Sequence, residues 1–107
     1  MRDSDIVESG RLGVGYSIPD LSVFLKEKAF IYILRCADNS LYCGWSNDVF
    51  KRLKIHNTGK GAKYTKARLP VNLVYFEVYE NKIYAMKREY EIKHMTKKEK
   101  ERLLDDG

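Results

Sequence analysis

Two short runs of β-branched and aromatic residues, separated by a polar turn, constrain this chain of 107 residues more than any other feature. Residues 30–34 read FIYIL, residues 41–45 read LYCGW, and the polar residues 37–40 between them read ADNS. This pattern predicts a β-hairpin. A third run, residues 73–79, is apolar enough to predict a strand that is central or covered on both faces.

Helix signals follow the second and the third predicted strand. Ser46 or Asn47 can cap a helix over residues 48–56, and a glycine-rich, basic loop is expected over residues 59–68. A second helix is expected from about residue 81, and a third over residues 96–104, where Thr96 and Glu99 form a capping box. The order strand, strand, helix, strand, helix, helix predicts an α+β fold, a three-stranded and mainly antiparallel sheet flanked by helices.

The composition is that of one ordinary globular domain. Hydrophobic residues make up 44% and charged residues 33% of the chain, and no apolar run approaches the ~20 residues that a membrane span requires. We expect a cytoplasmic protein with a domain over residues 29–104, preceded by an extension, residues 1–28, that is flexible or holds a short helix. Cys36 and Cys43 flank the turn of the hairpin, and reduced thiols are expected there rather than a disulfide.

Positive charge is concentrated in one stretch of the chain. Residues 51–68 hold seven Lys or Arg residues and no Asp or Glu, and the formal net charge of the chain is +5. A patch of one sign suits a polyanion, because phosphate contacts release condensed counterions. The alternative is a solvated surface that binds nothing specific.

Two polar residues interrupt the apolar face of the first predicted helix. Val49, Arg52, Leu53 and His56 follow one another at i, i+3, i+4 and i+7, so they share one stripe of the helix. If this stripe faces the sheet, Arg52 needs an anionic partner, and a phosphate group matches the guanidinium fork. The alternative is that Arg52 and His56 lie at the edge of the stripe and extend to water.

A carboxylate interrupts the second predicted helix in the same way. Ala85, Glu89 and Ile92 lie at i, i+4 and i+7, so Glu89 falls on an otherwise apolar face. One or two carboxylates are what Mg²⁺ usually takes from a protein. The alternative, an ion pair of Glu89 with Lys93, is the interpretation that helical spacing alone favours.

Two tyrosines of the hairpin share a face of the sheet only in certain registers. Tyr32 and Tyr42 lie on the same face if paired residue numbers sum to an even value, which requires a three- or five-residue loop or a bulge. A two-residue turn would place them on opposite faces. Each tyrosine taken alone is most simply a packing residue with a polar tip.

Read in order, these residues resemble the GIY-YIG nuclease domain, and more closely its small single-domain YhbQ/YazA-like proteins. Residues 30–32 read FIY where the family has GIY, and residues 42–44 read YCG where it has YIG. Arg52 matches the arginine of the family's helix, His56 follows it, and Glu89 matches the metal-binding glutamate. The resemblance extends from about residue 29 to residue 104, and the loop TGKGAKYTKARLPVNLVY is typical of the YhbQ/YazA-like branch.

The resemblance implies a metal-dependent endonuclease that hydrolyses phosphodiester bonds in DNA, with structure-directed cutting and a link to DNA repair or recombination. It implies one Mg²⁺ or Mn²⁺ held by Glu89, with Arg52 offsetting charge on the phosphoryl oxygens. Tyr32 is the candidate general base, Tyr42 orients the water or shares that role, and His56 assists. The residues expected to hold flanking phosphates are Lys51, Lys54, Lys60, Lys63, Lys66 and Arg68.

Two other functions agree with the same sequence. One is a non-catalytic nucleic-acid-binding module with the same fold and the same basic face. The other is a protein-interaction adaptor whose basic loop contacts an acidic partner. No membrane partner or small-molecule cofactor is expected, and RNA remains open beside DNA as the nucleic acid.

Overall fold

Helices cover both faces of an antiparallel sheet in the computed structural model, which describes residues 6–10 and 28–106. The sheet has four strands in the order β1-β4-β2-β3. The strands are β1 (Ile6–Gly10), β2 (Ala29–Arg35), β3 (Leu41–Ser46) and β4 (Asn72–Tyr79). The helices are α1 (Val49–Asn57), the single turn α2 (Lys63–Lys66), α3 (Lys82–Lys93) and α4 (Lys97–Asp106).

The predicted three-stranded antiparallel sheet is confirmed as strands β2, β3 and β4. Strand β2 pairs with both of the others, and every neighbouring pair in the sheet is antiparallel. The structure adds one strand, Ile6–Gly10, on the outer side of β4, within the segment whose pattern had indicated only a flexible lead. The short helix expected before residue 28 falls outside the described residues.

The central strand β2 carries two apolar layers, one on each face of the sheet. Ile31 and Ile33 point to the layer that packs under α3, where Ala85 and Ile92 are fully buried. Phe30 and Leu34 point to the other layer, which contains Val49 of α1 and Val71. Alternate side chains of one strand thus anchor opposite helices, as the two-residue period of a strand requires.

The ends of the helices follow local hydrogen bonds, and one expected cap is wrong. Asp48, not Ser46 or Asn47, caps α1, since its side chain accepts a hydrogen bond from the backbone N–H of Lys51 at 3.0 Å. The predicted capping box is confirmed at α4, where Thr96 and Glu99 exchange bonds of 2.9 and 3.1 Å. The stretch expected to be a loop, residues 59–68, contains the short helix α2.

Neither cysteine forms a disulfide, as expected. Cys36 and Cys43 are both free thiols, and both are buried. They belong to different apolar layers, Cys36 with Leu34 and Cys43 with Ile33. In the part of the chain that the structure describes, no helix combines the length and apolar character needed to cross a bilayer.

A buried carboxylate ties β4 to α3. Glu77 is only 1% exposed and accepts hydrogen bonds of 2.6 Å from both the Tyr75 and Tyr79 hydroxyls. Arg88 of α3 adds two further bonds, from Nε at 2.9 Å and from Nη2 at 3.1 Å. Since an unpaired buried charge is costly, the four donors together make this carboxylate tolerable inside the core.

We expect Glu77→Gln to lower the free energy of unfolding by about 3 to 5 kcal/mol, because the change leaves the partly buried Arg88 without its charged partner. Urea denaturation at neutral pH measures the loss. Glu91→Gln is the matched control, since Glu91 also contacts Arg88, at 3.8 Å, but its side chain is 39% exposed. An exposed pair of this kind is worth about 1 kcal/mol at most, so equal losses in the two variants would contradict the interpretation.

Candidate active site

The site begins with a hydrogen bond between the sheet and α1. The Tyr32 hydroxyl of β2 lies 2.9 Å from Nε2 of His56, the last buried side chain of α1. Tyr32 is 2% exposed and His56 is fully buried. The bond gives each of these two buried polar groups a partner, as buried polar groups require.

The other ring nitrogen of His56 is held by α2. Nδ1 lies 2.8 Å from the Thr65 hydroxyl, which in turn lies 3.0 Å from the Ala62 carbonyl oxygen. A carbonyl only accepts, so the one hydroxyl proton of Thr65 is donated to Ala62. These bonds are mutually compatible when Thr65 accepts from Nδ1–H and Nε2 of His56 accepts the Tyr32 proton.

Two glycines make this close packing possible. A Cβ atom at Gly44 would lie 2.5 Å from the Tyr32 hydroxyl oxygen, and one at Gly61 would lie 2.3 Å from Nδ1 of His56. Neither distance is possible for a real side chain. Gly44 is paired with Tyr32 across the hairpin, so the tyrosine ring lies directly over it.

Tyr42 lies on the same face of the sheet as Tyr32, which confirms the condition on the register. Tyr42 is paired with Leu34, and the loop between β2 and β3 holds five residues, 36–40. The Tyr42 ring centre lies 5.3 Å from that of His56 and 6.0 Å from that of Tyr64. Tyr64 is covered on its other side by the guanidinium of Arg68, whose Cζ lies 3.8 Å from the ring centre.

Burial and neighbouring charges set the protonation states of the site. Burial raises the pKa of Tyr32 to about 12, Tyr42 adds to the rise, and a hydrogen bond and the charge from Arg52 oppose it. Burial lowers the pKa of His56, and the positive charge of Arg52 lowers it further. At neutral pH the structure therefore holds a protonated phenol against a neutral imidazole.

Arg52 is half-buried and acts on the groups around it, as expected if its stripe faces the sheet. It opposes the rise in pKa of both Tyr32 and Tyr42. It forms a hydrogen bond with the phenol of Tyr32 and acts on Tyr42 through its charge alone. A phosphate group entering the site would meet a guanidinium that is already oriented.

Glu89 approaches the same site from α3, on the opposite face of the sheet. Burial raises the pKa of Tyr42, and the next largest cause is the negative charge of Glu89. The side chain of Glu89 is 22% exposed, and one oxygen lies 3.9 Å from the Lys93 ammonium group. The ion pair favoured by helical spacing is therefore present, and Lys93 also lies over the Tyr42 ring at 5.6 Å.

A single carboxylate limits the kind of metal ion that this site could hold. Within residues 6–10 and 28–106, no three His, Cys, Asp or Glu side chains are grouped as a ligand set. Glu89 alone suits a hard cation such as Mg²⁺, which commonly takes one or two carboxylates and keeps several waters. It does not suit Zn²⁺, which requires three or four protein ligands. The residues present thus fit the ion that the resemblance implies.

The expected phosphate-binding residues divide into two groups. Five lysines on α1, α2 and the loop between them are exposed to solvent, whereas Arg68 is already paired. Arg68 donates to Asp38 at 3.0 Å and to the Tyr64 carbonyl at 2.8 Å. Arg68 is therefore better placed to hold the loop than to contact a ligand. The exposed lysines are Lys51, Lys54, Lys60, Lys63 and Lys66.

Sequence patterns did not identify Thr65, Gly61 or Tyr64 as part of the site. All three lie in the stretch expected to be a loop, where no periodicity marks one side chain as inward. The glycine pair at residues 59 and 61 signals a turn but does not show which ring it accommodates. Only the tertiary contacts with His56 and Tyr42 reveal their place.

Comparison with known proteins gives a consistent result. A family model described as the GIY-YIG catalytic domain matches residues 28–102. The UPF0213 protein CPE1444 of Clostridium perfringens is 56% identical over 75 residues, which cover 70% of this chain and 81% of that protein. A UPF0213 protein of Staphylococcus aureus strain Mu3 is 56% identical over 77 residues, covering 72% and 94% of the two chains.

Among solved structures, the chain is similar to the UPF0213 protein BH0048 from Bacillus halodurans, determined by solution NMR. The two are 45% identical, with a TM-score of 0.49 and coverage of 73% of this chain and 83% of the other.

We expect the free energy of unfolding to fall as the pH drops below about 6.5, in part because of His56. The folded-state pKa of His56 is lowered from its ordinary value of 6.5, so the unfolded chain binds the proton first. Urea denaturation between pH 7.5 and 5.5 measures the effect. The variant His56→Gln should lose this part of the pH dependence, and an unchanged slope would contradict the assignment.

Proposed function

The chain belongs to the GIY-YIG catalytic domain family, and from this premise we propose that it is an endonuclease that hydrolyses phosphodiester bonds in DNA with Mg²⁺ or Mn²⁺. The observation that supports this most strongly is the convergence of Tyr32, His56 and Arg52 beside Tyr42 at one end of the hairpin. Glu89 reaches the same point from another element.

The proposed reaction begins with proton transfer through the buried pair. A phenol whose pKa is raised to about 12 cannot accept a proton at neutral pH while it keeps its own. The 2.9 Å bond would supply an acceptor for that proton when Nε2 of His56 carries no proton of its own. As the Tyr32 O–H bond breaks and an N–H bond forms on His56, the phenolic oxygen can take a proton from water attacking phosphorus.

Arg52 would stabilise negative charge on the phenols and on the phosphoryl oxygens in the proposed reaction. It opposes the rise in pKa of Tyr32 and of Tyr42, so it favours transient phenolate character. It also lowers the pKa of His56, so it would favour the return of His56 to the neutral imidazole after proton transfer. Its remaining donors match the phosphoryl oxygens, where negative charge grows in the transition state.

Glu89 is the proposed ligand of the divalent cation. When bound, such an ion supplies Lewis-acid stabilisation of the scissile phosphate and of the leaving 3′-oxygen. Glu89 would exchange its contact with Lys93, at 3.9 Å, for the cation, and this exposed pair is weak enough for the exchange. Lys93 then remains over the Tyr42 ring, where it adds positive charge beside the substrate.

The basic surface formed by the five exposed lysines supports binding to nucleic acid without base specificity. Its exposed lysines lie on α1, which also carries His56, on α2 and on the loop between these helices. Lysine contacts to phosphate give affinity and orientation but read no base. We therefore propose structure-directed rather than sequence-directed cutting, with a role in DNA repair or recombination.

Glu89→Gln and Tyr32→Phe should each reduce the cleavage of branched or flapped DNA in Mg²⁺ or Mn²⁺ by about 10²-fold or more, because each change removes one group that acts on the reacting phosphate. Cleavage rates under single-turnover conditions give the comparison. Glu91→Gln, two residues away on the same helix, is the control for Glu89 and should keep the wild-type rate. Binding without cleavage in the wild-type protein would instead favour the non-catalytic module.

Replacing Lys60, Lys63 and Lys66 together by Gln should weaken DNA binding and flatten its dependence on salt. Removing one lysine–phosphate ion pair lowers the slope of log K against log salt by about one unit. Fluorescence anisotropy at several salt concentrations measures both quantities. The paired change Lys82→Gln and Lys98→Gln is the control: it removes charge from α3 and α4 and should leave the slope unchanged. If the control lowers the slope as much as the lysine variant does, DNA is attracted by the overall charge of the protein and not bound at this surface.

A further inference from the structure

Thr65 is the polar side chain of the site that the proposed function leaves without a role. It is fully buried, although it lies on a four-residue helix whose neighbours Tyr64 and Lys66 are exposed. Its hydroxyl contacts two groups, the Ala62 carbonyl at 3.0 Å and Nδ1 of His56 at 2.8 Å. The residues next to Thr65 in the chain are exposed to solvent, so the burial of this one hydroxyl calls for a physical explanation.

The position of this hydroxyl is fixed by the surrounding backbone. The backbone N–H of Arg68 donates to the Thr65 carbonyl at 2.9 Å, and the Arg68 side chain holds the Tyr64 carbonyl and Asp38. These bonds join α2 to the β2–β3 loop. The Thr65 hydroxyl is thus presented to His56 by a tethered segment, with Gly61 leaving room for the ring.

We propose that Thr65 is a positioning residue, whose hydroxyl holds His56 in the tautomer that carries its proton on Nδ1. The proposal rests on the proposed function, because only this tautomer offers Nε2 as the acceptor of the Tyr32 proton. Thr65 touches neither the scissile phosphate nor the attacking water in this scheme. It acts through His56 alone.

In the opposite tautomer of His56, fewer of the surrounding polar groups have a hydrogen-bond partner. With its proton on Nε2, the ring would donate to the Tyr32 oxygen, and the Tyr32 proton would lose its acceptor on His56. Thr65 would either donate to Nδ1 and lose the Ala62 carbonyl at 3.0 Å, or keep that carbonyl and leave Nδ1 with only the backbone N–H of Ala62 as a donor. The backbone N–H of Ala62 lies 3.5 Å from Nδ1, a longer contact than the 2.8 Å of Thr65, and it does not offset that loss.

The first test measures the tautomer directly by two-bond ¹H–¹⁵N correlation spectra of the full chain with labelled histidine. The chain has two histidines, so His94→Gln assigns the signals. In the wild type, Nδ1 of His56 should show the shift of a protonated nitrogen and Nε2 that of an unprotonated one. A wild-type spectrum with the proton on Nε2 would overturn the proposal.

Variants then connect the hydroxyl to the tautomer and to catalysis. Thr65→Val keeps the shape of the side chain but cannot accept a hydrogen bond, so it should shift His56 toward the tautomer with its proton on Nε2. Cleavage should slow about tenfold or more, and by no more than the ~10² to 10⁴ that general base catalysis supplies in total. Thr65→Ser keeps the hydroxyl and should retain both the tautomer and most of the rate. If Thr65→Val does not fold, Thr65→Ala takes its place.

Thr58→Val is the matched control, because the Thr58 hydroxyl is exposed and donates to the Ile55 carbonyl at 2.7 Å without touching His56. It should change neither spectrum nor rate. An unchanged His56 tautomer in Thr65→Val, or a loss in Thr65→Ser equal to that in Thr65→Val, overturns the proposal. A wild-type protein that shows the expected tautomer but cuts no DNA overturns the nuclease function and leaves the control of the ring by Thr65 supported.

Discussion

The hydrogen bond between Tyr32 and His56 is the constraint around which the site is built. A phenol on the central strand and an imidazole on the first helix are both buried, and neither tolerates the loss of its partner. Keeping them together requires a glycine under the tyrosine ring, a glycine beside the imidazole and a hydroxyl on the far side of the ring. The irregular loop after α1 is therefore part of the site's structure, because it supplies the last two of these.

The site also depends on an edge of the sheet. Strand β3 is the outer strand on this side of the described sheet, and α1 and α3 cover opposite faces. Only at such an edge can Glu89 from one face influence Tyr42, which belongs to the other. The proposed general base pair and the proposed carboxylate ligand thus come from separate layers of a small domain, while the buried Glu77 network ties α3 to β4.

Burial has opposite consequences for the two partners of the central pair. It raises the pKa of Tyr32 and lowers that of His56, so both are neutral at physiological pH and the proton lies on the oxygen. The Tyr32–His56 pair therefore adds no charge to the core of the free protein. In the proposed reaction, charge would develop at this pair only with substrate and cation bound, and Arg52 would be the group that stabilises it.

Sequence patterns alone determined the three strands, the three long helices and the capping box at Thr96, because each is marked by periodicity or turn chemistry within a short stretch of chain. The resemblance to a family motif indicated the five polar positions of the candidate site. Sequence patterns did not determine the cap at Asp48, the turn of helix at Lys63–Lys66 or the strand at Ile6–Gly10. Neighbouring polar residues compete to cap α1, and sequence does not show which of them forms the hydrogen bond. The strand Ile6–Gly10 depends on pairing with β4, which is distant in the sequence. Only the tertiary structure decided that Thr65 faces His56, since a single buried hydroxyl in a basic loop leaves no periodic signal.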